Sequence, residues 1–290
     1  MTRIITSLAE ISANYDAVFC DLWGCLHNGI APFPAAVSAL QAFRAQGGRV
    51  VLLTNAPRAR AEVEKQLTGM GVPADCWDTI ATSGDSARLA MFRGTVGHRV
   101  YFIGQEMDLP FFEPIHLLEN CPQIHRVALA EADGIVCTGP ADPHADPAVY
   151  RPDFLFAKQK GLKLLCANPD IVVDRGESRE WCAGALAALY TEMGGESLYF
   201  GKPHPPVYDL SRRRLAALGR DVPDGRILAI GDGIQTDIKG ALGEDIDSLL
   251  VTGGLAATET KTSQDPDPDA LNGYIQKEMI EPTFAIGQLR

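Results

Sequence analysis

Short apolar runs alternate with segments of helical spacing along most of the chain. Three of these runs, AVFC, RVVLL and RILAIG, come directly before Asp21, Thr54 and Asp232 and are typical of buried strands in a parallel sheet. The segments between such runs carry helix signals. PAAVSALQAFRAQGG, for example, opens with a proline and closes with two glycines. The alternation predicts an α/β fold built on a doubly wound parallel sheet with helices on both faces.

A second set of strand and helix patterns fills the middle of the chain. HRVYFIG, DGIVCTG, LKLLCAN and SLYFG have strand patterns, whereas AVYRPDFLFAKQKG and CAGALAALYTEMGG have helical spacing. Residues that could take part in catalysis or binding lie on both sides of this inserted segment. We therefore predict a core domain of residues 1–80 and 200–290 and a separate α/β domain of residues 81–199, with the active site between them. The polar segment 258–273 is predicted to be a surface loop.

Composition narrows the class of protein. The chain has 290 residues, of which 46% are hydrophobic and 22% charged, as in ordinary globular proteins with one large or two medium domains. Its net charge of −11 argues against nucleic acid as a partner, because phosphate backbones need clustered Lys and Arg. Seven cysteines without a C-x-x-C pair fit a reducing compartment. With neither a signal-peptide pattern nor a long apolar run, we expect a cytoplasmic protein that has no membrane partner.

The candidate catalytic and ligand-binding residues follow the carboxyl ends of the predicted strands. Open α/β sheets bind ligands at this edge. Asp21 is placed to attack phosphorus, and together with Asp232 and Asp237 it could hold a magnesium ion. Thr54 offers a hydroxyl donor, and Lys202 offers a positive charge to phosphate oxygens. The residues therefore suggest phosphoryl transfer.

Each of these residues also has an ordinary structural explanation. Asp21 alone would be a turn or helix-capping residue, and Lys202 before Pro203 would be a solvated loop charge. The Thr54–Asn55 pair is a common helix N-cap. Only the ordered set favours an active site over these alternatives.

Four segments in this order, DLWGCL, VVLLTN, GKPHPPVYDL and IGDGIQTDIKGA, resemble the motifs of the haloacid dehalogenase superfamily, whose members are mostly phosphatases. The segment between Thr54 and Lys202 is similar to the large α/β cap of class IIA members, which include nucleotide, sugar-phosphate and pyridoxal-phosphate phosphatases. ANPD and CAGAL, at residues 167–170 and 182–186, also resemble parts of that cap. The resemblance implies a Rossmann-like core with an inserted α/β cap of the C2 type.

The resemblance also implies a role for each matching residue. Asp21 would be the nucleophile and would share a magnesium ion with Asp232 and the backbone carbonyl of Trp23, while Asp237 would lie near the metal or its waters. The phosphoryl group would be bound by three residues, Thr54, Asn55 and Lys202.

Two positions depart from the family pattern. In the phosphatases, a carboxylate two residues after the nucleophile protonates the leaving oxygen and later activates water, but here the residue is Trp23, whose indole neither gives nor takes a proton near neutral pH. Cys25 replaces the usual threonine. Because general acid–base help is worth roughly a hundred- to ten-thousandfold, we expect slowed hydrolysis. His27 is the nearest residue that could substitute as the acid, and orienting the loop is its alternative role.

Three functional hypotheses follow. The leading one is a magnesium-dependent phosphatase that forms an aspartyl-phosphate and acts on a small phosphorylated metabolite such as a sugar phosphate. The second is a metal-independent dehalogenase-type hydrolase, whose relatives carry an aromatic residue two after the nucleophile. It is disfavoured because those enzymes have a helical cap. The third is a non-catalytic module that binds a phosphorylated ligand.

The insert would select the substrate. Asn168, Asp170 and the loop 142–147 are candidate specificity residues, although turns and helix caps explain them equally well. A homodimer formed through the cap is a further expectation, because caps of this class often pair.

Overall fold

The structure is a computed structural model that describes residues 2–115, 121–175, 178–219 and 221–290. The strands in this part of the chain are β1 (Arg3–Ile4), β2 (Ala17–Cys20), β3 (Arg49–Thr54), β4 (Thr79–Thr82), β5 (Arg99–Ile103), β6 (His125–Arg126), β7 (Gly134–Cys137), β8 (Lys163–Cys166), β9 (Val172–Arg175), β10 (Ser178–Trp181), β11 (Glu196–Tyr199), β12 (Ile227–Gly231), β13 (Asp247–Val251) and β14 (Phe284–Ile286). The helices are α1 (Pro34–Ala45), α2 (Arg60–Gly69), α3 (Ser83–Phe92), α4 (Arg151–Gln159), α5 (Ala183–Glu192), α6 (Pro205–Ala216), α7 (Lys239–Gly243) and α8 (Pro268–Glu278).

The chain divides into two compact units. The first comprises Met1–Thr54, Glu64–Ala81 and Tyr208–Arg290, and the second comprises Asn55–Val63 and Thr82–Val207. Segments 55–63 and 200–207, which the sequence pattern assigned to the core domain, group here with the second unit. The assignment of separate core and cap roles stays a prediction.

A seven-stranded sheet forms the centre of the first unit, in the order β1-β14-β13-β12-β2-β3-β4. The strands pair in parallel from β1 across to β3. Strands β2 and β12 are buried along their whole length, which explains why their sequences are continuous apolar runs. The chain steps outward from β2 on one side and from β12 on the other. The boundary between these two strands is therefore the topological switch point of the sheet.

The second unit contains a parallel five-stranded sheet in the order β11-β8-β7-β5-β6 and an antiparallel pair of β9 with β10. Alternate residues of its strands face opposite layers of helices. Leu164 packs in a cluster with Phe154 of α4 and Tyr190 of α5, whereas Leu165 packs in a cluster with Met91 of α3. Parallel sheets flanked by helices confirm the predicted α/β class.

One local prediction from the sequence agrees with the turns and irregular structure of residues 258–267 but is wrong for residues 268–273. The segment 258–273, predicted to be a loop, contains the first residues of α8, which begins at Pro268. Asp267 caps this helix by accepting a hydrogen bond of 2.8 Å from the backbone N–H of Ala270, and the helix buries Leu271. The polar, proline-containing sequence is thus a helix start signal. Nowhere in the described chain do we find a helix with the length and hydrophobicity that a bilayer crossing requires.

Candidate active site

Two carboxylates meet at the switch point of the seven-stranded sheet. Asp21 follows β2 and Asp232 follows β12, and the parallel register places Cys20 opposite Ile230. The backbone N–H of Asp21 donates a 2.8 Å hydrogen bond to the carbonyl of Ile230, which continues the ladder past the strand end. Both side chains are buried, and one carboxylate oxygen of each lies within 4.8 Å of the other. The pairing of these strands therefore brings together residues that are 211 positions apart in the sequence.

Two glycines make room for the carboxylate of Asp232. A Cβ atom on Gly24 or on Gly254 would overlap the Asp232 side chain, and Gly24 also has a φ of +71°. The backbone N–H of Leu255 donates a 3.1 Å hydrogen bond to Asp232 Oδ2. The N–H donor therefore helps to hold the Asp232 carboxylate in one orientation within 4.8 Å of Asp21.

Asp237 stabilises the turn that follows Asp232 by accepting hydrogen bonds within it. It lies in a π-helical turn, Ile234–Ile238, and its Oδ2 accepts hydrogen bonds from the backbone N–H of Gly233 at 3.2 Å and from the hydroxyl of Thr236 at 3.3 Å. Asp237 is buried but does not belong to the group formed by Asp21, Cys25 and Asp232. Its predicted place near a metal or the metal's waters stays a prediction.

The indole of Trp23 is part of the loop that follows Asp21. Its ring contacts that of His27 edge to face at 5.3 Å between centroids, and it lies against Gly29, where a Cβ atom would overlap the indole. Backbone bridges join Trp23 to His27 and His27 to Pro32. Trp23 therefore stabilises the loop by packing and brings no proton donor of useful acidity to the site.

His27 belongs to the same loop, and its ring is buried and hydrogen-bonded to the loop backbone. Its Nδ1 accepts a 3.0 Å hydrogen bond from the N–H of Gly29, so a neutral ring carries its proton on Nε2. Burial lowers the pKa of His27 to about 4. The imidazole is thus neutral near pH 7, and the geometry agrees with the loop-orienting role that the sequence left open.

This pKa predicts how stability depends on pH. In the unfolded chain His27 binds a proton near its ordinary pKa of about 6.5, whereas the folded protein resists protonation down to about 4. Stability should therefore fall as the pH drops through this window. Between pH 7 and 4.5 the wild type should lose about 2 to 3 kcal/mol more than His27→Asn, which keeps an acceptor for the Gly29 N–H but cannot titrate. Urea unfolding at both pH values measures this difference, and parallel losses in the two proteins would contradict it.

Cys25 lies beside Asp21 and Asp232 and forms a cluster of three possible metal ligands with them. The sequence pattern did not reveal this contact. The Sγ of Cys25 lies within 4.8 Å of carboxylate oxygens of Asp21 and Asp232. Burial, followed by the charges of Asp232 and Asp21, raises the pKa of the Cys25 thiol well above its usual value, so it is a neutral S–H. Backbone hydrogen bonds from Leu26 and His27 to the carbonyl of Leu22 close the turn that carries Cys25 back toward Asp21.

The remaining predicted residues divide between the two units. Thr54, the last residue of β3, is buried on the strand next to β2 in the first unit. Asn55 and Lys202 are buried in the second unit, where both N–H groups of the Asn55 side chain are donated to protein oxygens. Any contact of Asn55 with a phosphate would have to come from its backbone. The roles proposed for Thr54, Asn55 and Lys202 as phosphate ligands stay predictions.

The donor atoms around Asp21 fit a hard divalent cation. Two close carboxylates repel each other, and a divalent cation with a preference for oxygen relieves that repulsion. Burial raises the pKa of the Cys25 thiol, so a metal would have to displace the thiol proton before the sulfur could bind it, whereas the carboxylates offer oxygen ligands directly.

Comparisons with known proteins agree with this architecture. Residues 18–116 match the family model described as haloacid dehalogenase-like hydrolase, and residues 199–274 match a second model described as HAD-hydrolase-like. A crystal structure of a haloacid dehalogenase-like hydrolase from Brucella suis 1330 is 36% identical, with a TM-score of 0.85, and the match covers 99% of this chain and 100% of that one.

Two more distant matches come from Mycobacterium tuberculosis. The D-glycerol 3-phosphate phosphatase is 26% identical over 256 residues, a match that covers 86% of this chain and 66% of the length of that protein. A glycerol phosphate phosphatase solved in complex with magnesium is 24% identical, with a TM-score of 0.67, over 98% of this chain and 77% of that one.

The full-length match at 36% identity, the two family models and the carboxylate pair at the switch point lead to one conclusion. This chain belongs to the haloacid dehalogenase-like hydrolase family.

Proposed function

We propose that the protein is a magnesium-dependent phosphatase that hydrolyses a small phosphorylated metabolite, such as a sugar phosphate, through an aspartyl-phosphate on Asp21. The observation that carries this proposal is the convergence of Asp21 and Asp232 within 4.8 Å at the switch point of the sheet. The phosphatase relatives support the reaction class. A magnesium complex of one of them supports the choice of metal.

The proposed chemistry has two steps. A carboxylate oxygen of Asp21 attacks phosphorus while the bond from phosphorus to the ester oxygen breaks, and the leaving oxygen keeps the electron pair. Water then attacks the aspartyl-phosphate at phosphorus, which releases inorganic phosphate and restores the carboxylate. Thr54 would donate a hydrogen bond and Lys202 a positive charge to the phosphoryl oxygens. Magnesium, held by Asp21, Asp232 and the carbonyl of Trp23, would supply charge neutralisation.

Both steps lack the usual proton carrier. Trp23 cannot protonate the leaving oxygen or deprotonate water, and His27 is neutral with its Nδ1 occupied. The leaving group must therefore depart as an anion or take its proton from solvent or substrate. We infer slow turnover of alkyl phosphates and faster turnover of esters with good leaving groups.

Of the two other functions considered, one agrees with the site. The lack of an acidic side chain at position 23 is compatible with a module that binds a phosphorylated ligand without turnover. A metal-independent dehalogenase is disfavoured, because the second unit is built on a parallel sheet, in contrast to the helical cap of those enzymes. A homodimer formed through the inserted segment also stays a prediction.

A screen of phosphorylated metabolites with and without magnesium tests the proposal. We expect phosphate release that requires magnesium and is lost in Asp21→Asn. Metal-independent release would favour the dehalogenase type. Ligand binding without any release would favour the binding module.

Metal binding provides a separate prediction. Asp232→Ala removes one of two paired carboxylates, so magnesium affinity measured by calorimetry should fall by about tenfold or more. Asp209→Ala, which removes an exposed carboxylate of α6, is the matched control and should bind magnesium like the wild type. Equal affinities in the wild type and Asp232→Ala would rule out this metal site.

A further inference from the structure

Within the second unit, one buried amide side chain connects two separate loops. Asn55 Oδ1 accepts a 2.7 Å hydrogen bond from the backbone N–H of Lys202. Its Nδ2 donates to the carbonyl of Lys202 at 3.1 Å and to Asp170 Oδ1 at 2.8 Å. The side chain of Asn55 thus binds both backbone polar groups of Lys202 and, at the same time, a carboxylate of the inserted segment.

The approach of Asn55 to this loop depends on Gly201. A Cβ atom at that position would overlap Asn55 Oδ1, the hydroxyl of Ser83 and the ring of Pro169. Both Asn55 and Lys202 are buried, at 4% and 2% exposure. The backbone of Lys202 is consequently fixed on its Asn55 side by direct hydrogen bonds and close packing.

Asp170 is itself fixed by the surrounding segment. Its N–H donates a 3.0 Å hydrogen bond to Asn168 Oδ1, and its carbonyl accepts a 3.1 Å bond from the N–H of Gly184 in the first turn of α5. A Cβ atom on Gly184 would overlap the carbonyls of Pro169 and Asp170. The carboxylate of Asp170 is therefore presented to Asn55 from a loop held against α5.

We infer that Asn55 and Asp170 are positioning residues that hold the backbone of Lys202 in place for phosphate binding. The inserted segment thus affects phosphate affinity through Asp170, independently of any contact with the rest of the substrate. This inference rests on the proposed function, because it takes Lys202 to be a phosphate ligand. The motif resemblance predicted that Asn55 binds the phosphoryl group directly. We instead assign its side chain an indirect effect on phosphate binding, through the position of Lys202.

We call the hydrogen bonds that join Asn55 to Lys202 and Asp170 the Asn55 clamp. These bonds predict that substitutions at Asn55 and at Asp170 have unequal effects. Asn55→Asp removes both donated N–H groups and places two carboxylates at hydrogen-bond distance, so it should be severe. Asp170→Asn keeps an oxygen that can accept from the Asn55 amide, so it should be mild. In the double variant the new amide at position 170 can donate to the new carboxylate at position 55, and it should restore part of the loss.

The experiment measures kcat and KM for p-nitrophenyl phosphate, and the affinity for inorganic phosphate by calorimetry. Asn55→Asp should weaken phosphate binding and raise KM by about tenfold or more, Asp170→Asn should stay within about threefold of the wild type, and the double variant should recover part of the difference. Asn14→Asp, at an exposed position, is the matched control and should change nothing. In a Lys202→Met background Asn55→Asp should have little further effect, because Asn55 acts through Lys202.

Two results of the kinetic and binding measurements would overturn the inference: full additivity of Asn55→Asp with Lys202→Met, or a double variant no better than Asn55→Asp. Hydrogen exchange of the Lys202 amide tests the clamp without any substrate. Its protection should be lost in Asn55→Ala and kept in Asp170→Asn, and equal exchange in wild type and Asn55→Ala would also refute the clamp. A wild type that neither binds phosphate nor turns over, yet shows this protection pattern, would refute the proposed function and the phosphate role of Lys202 while leaving the clamp itself supported.

Discussion

Asp21→Asn should reduce phosphate release from every substrate by at least about a thousandfold, whatever the quality of the leaving group. The amide has nearly the shape of the carboxylate but is a far weaker nucleophile, so no aspartyl-phosphate can form. The buried position of Asp21 beside Asp232 makes this substitution structurally mild, because it removes one of two repelling charges. Steady-state phosphate release and acid-quench trapping of a phosphoenzyme both measure the effect.

A surface substitution of the same type provides the control. Asp209→Asn changes an exposed carboxylate and should keep full activity and phosphoenzyme formation. The nucleophile would have to be sought elsewhere if Asp21→Asn retained a substantial part of the wild-type rate, or if phosphoenzyme were trapped equally in both proteins. Thermal unfolding of Asp21→Asn checks that any loss of activity is not a loss of fold.

The second large effect concerns Trp23, which the motif resemblance assigns to the position where the family's phosphatases carry a general acid. Trp23→Asp should raise turnover of alkyl phosphates by about ten- to a hundredfold, while turnover of p-nitrophenyl phosphate should change much less. An activated ester needs no proton on its leaving group, whereas an alkoxide does. We expect a smaller rise in turnover than general acid catalysis can give in full, because the indole also packs against Gly29 and His27. Its removal loosens that loop.

Trp23→Asn separates acid catalysis from loss of the indole. Asparagine has nearly the same size as aspartate but no titrating group, so the ratio of the two variants on one alkyl phosphate isolates the proton. A pH profile should acquire a new titration in Trp23→Asp only. If both variants gain equally, or if the wild type already cleaves alkyl and activated phosphates at similar rates, another group supplies the proton and the missing-acid interpretation is wrong.

Much of the fold follows from local pattern. The continuous apolar runs of β2 and β12 indicate strands buried on both faces, and the strand-to-helix alternation indicates parallel pairing. Parallel strands end at the same sheet edge, so local pattern predicts that Asp21 and Asp232 both lie at that edge. Only the strand order, which makes β2 and β12 neighbours, brings their carboxylates within 4.8 Å. The start of α8 was missed because its capping residue, Asp267, lies in a polar, proline-containing segment that is equally typical of a turn.

The contacts that depend on side-chain direction could not be predicted in this way. Sequence spacing identifies Cys25 as a departure from the family pattern, but only the closed turn shows that its thiol approaches both carboxylates. In the same way, Asn55 follows a strand like a phosphate ligand, yet its amide is committed to Lys202 and Asp170. These partners lie 147 and 115 positions away, which is beyond any local pattern.

The sequence by itself determined the α/β class and the order of the four motifs, because periodicity and residue order are local properties of the chain. It also shows that position 23 carries an indole, which the family resemblance interprets as the loss of an acidic group. Tertiary structure alone decided which neighbours each polar group acquires. Burial of His27 against the Gly29 N–H makes its ring neutral, burial next to two carboxylates keeps Cys25 protonated, and a three-way hydrogen bond makes Asn55 a clamp on Lys202. The burial of these groups comes from atoms brought together from distant parts of the chain, even where a hydrogen-bond partner such as Gly29 is near in the sequence, so these properties exist only once the chain has folded.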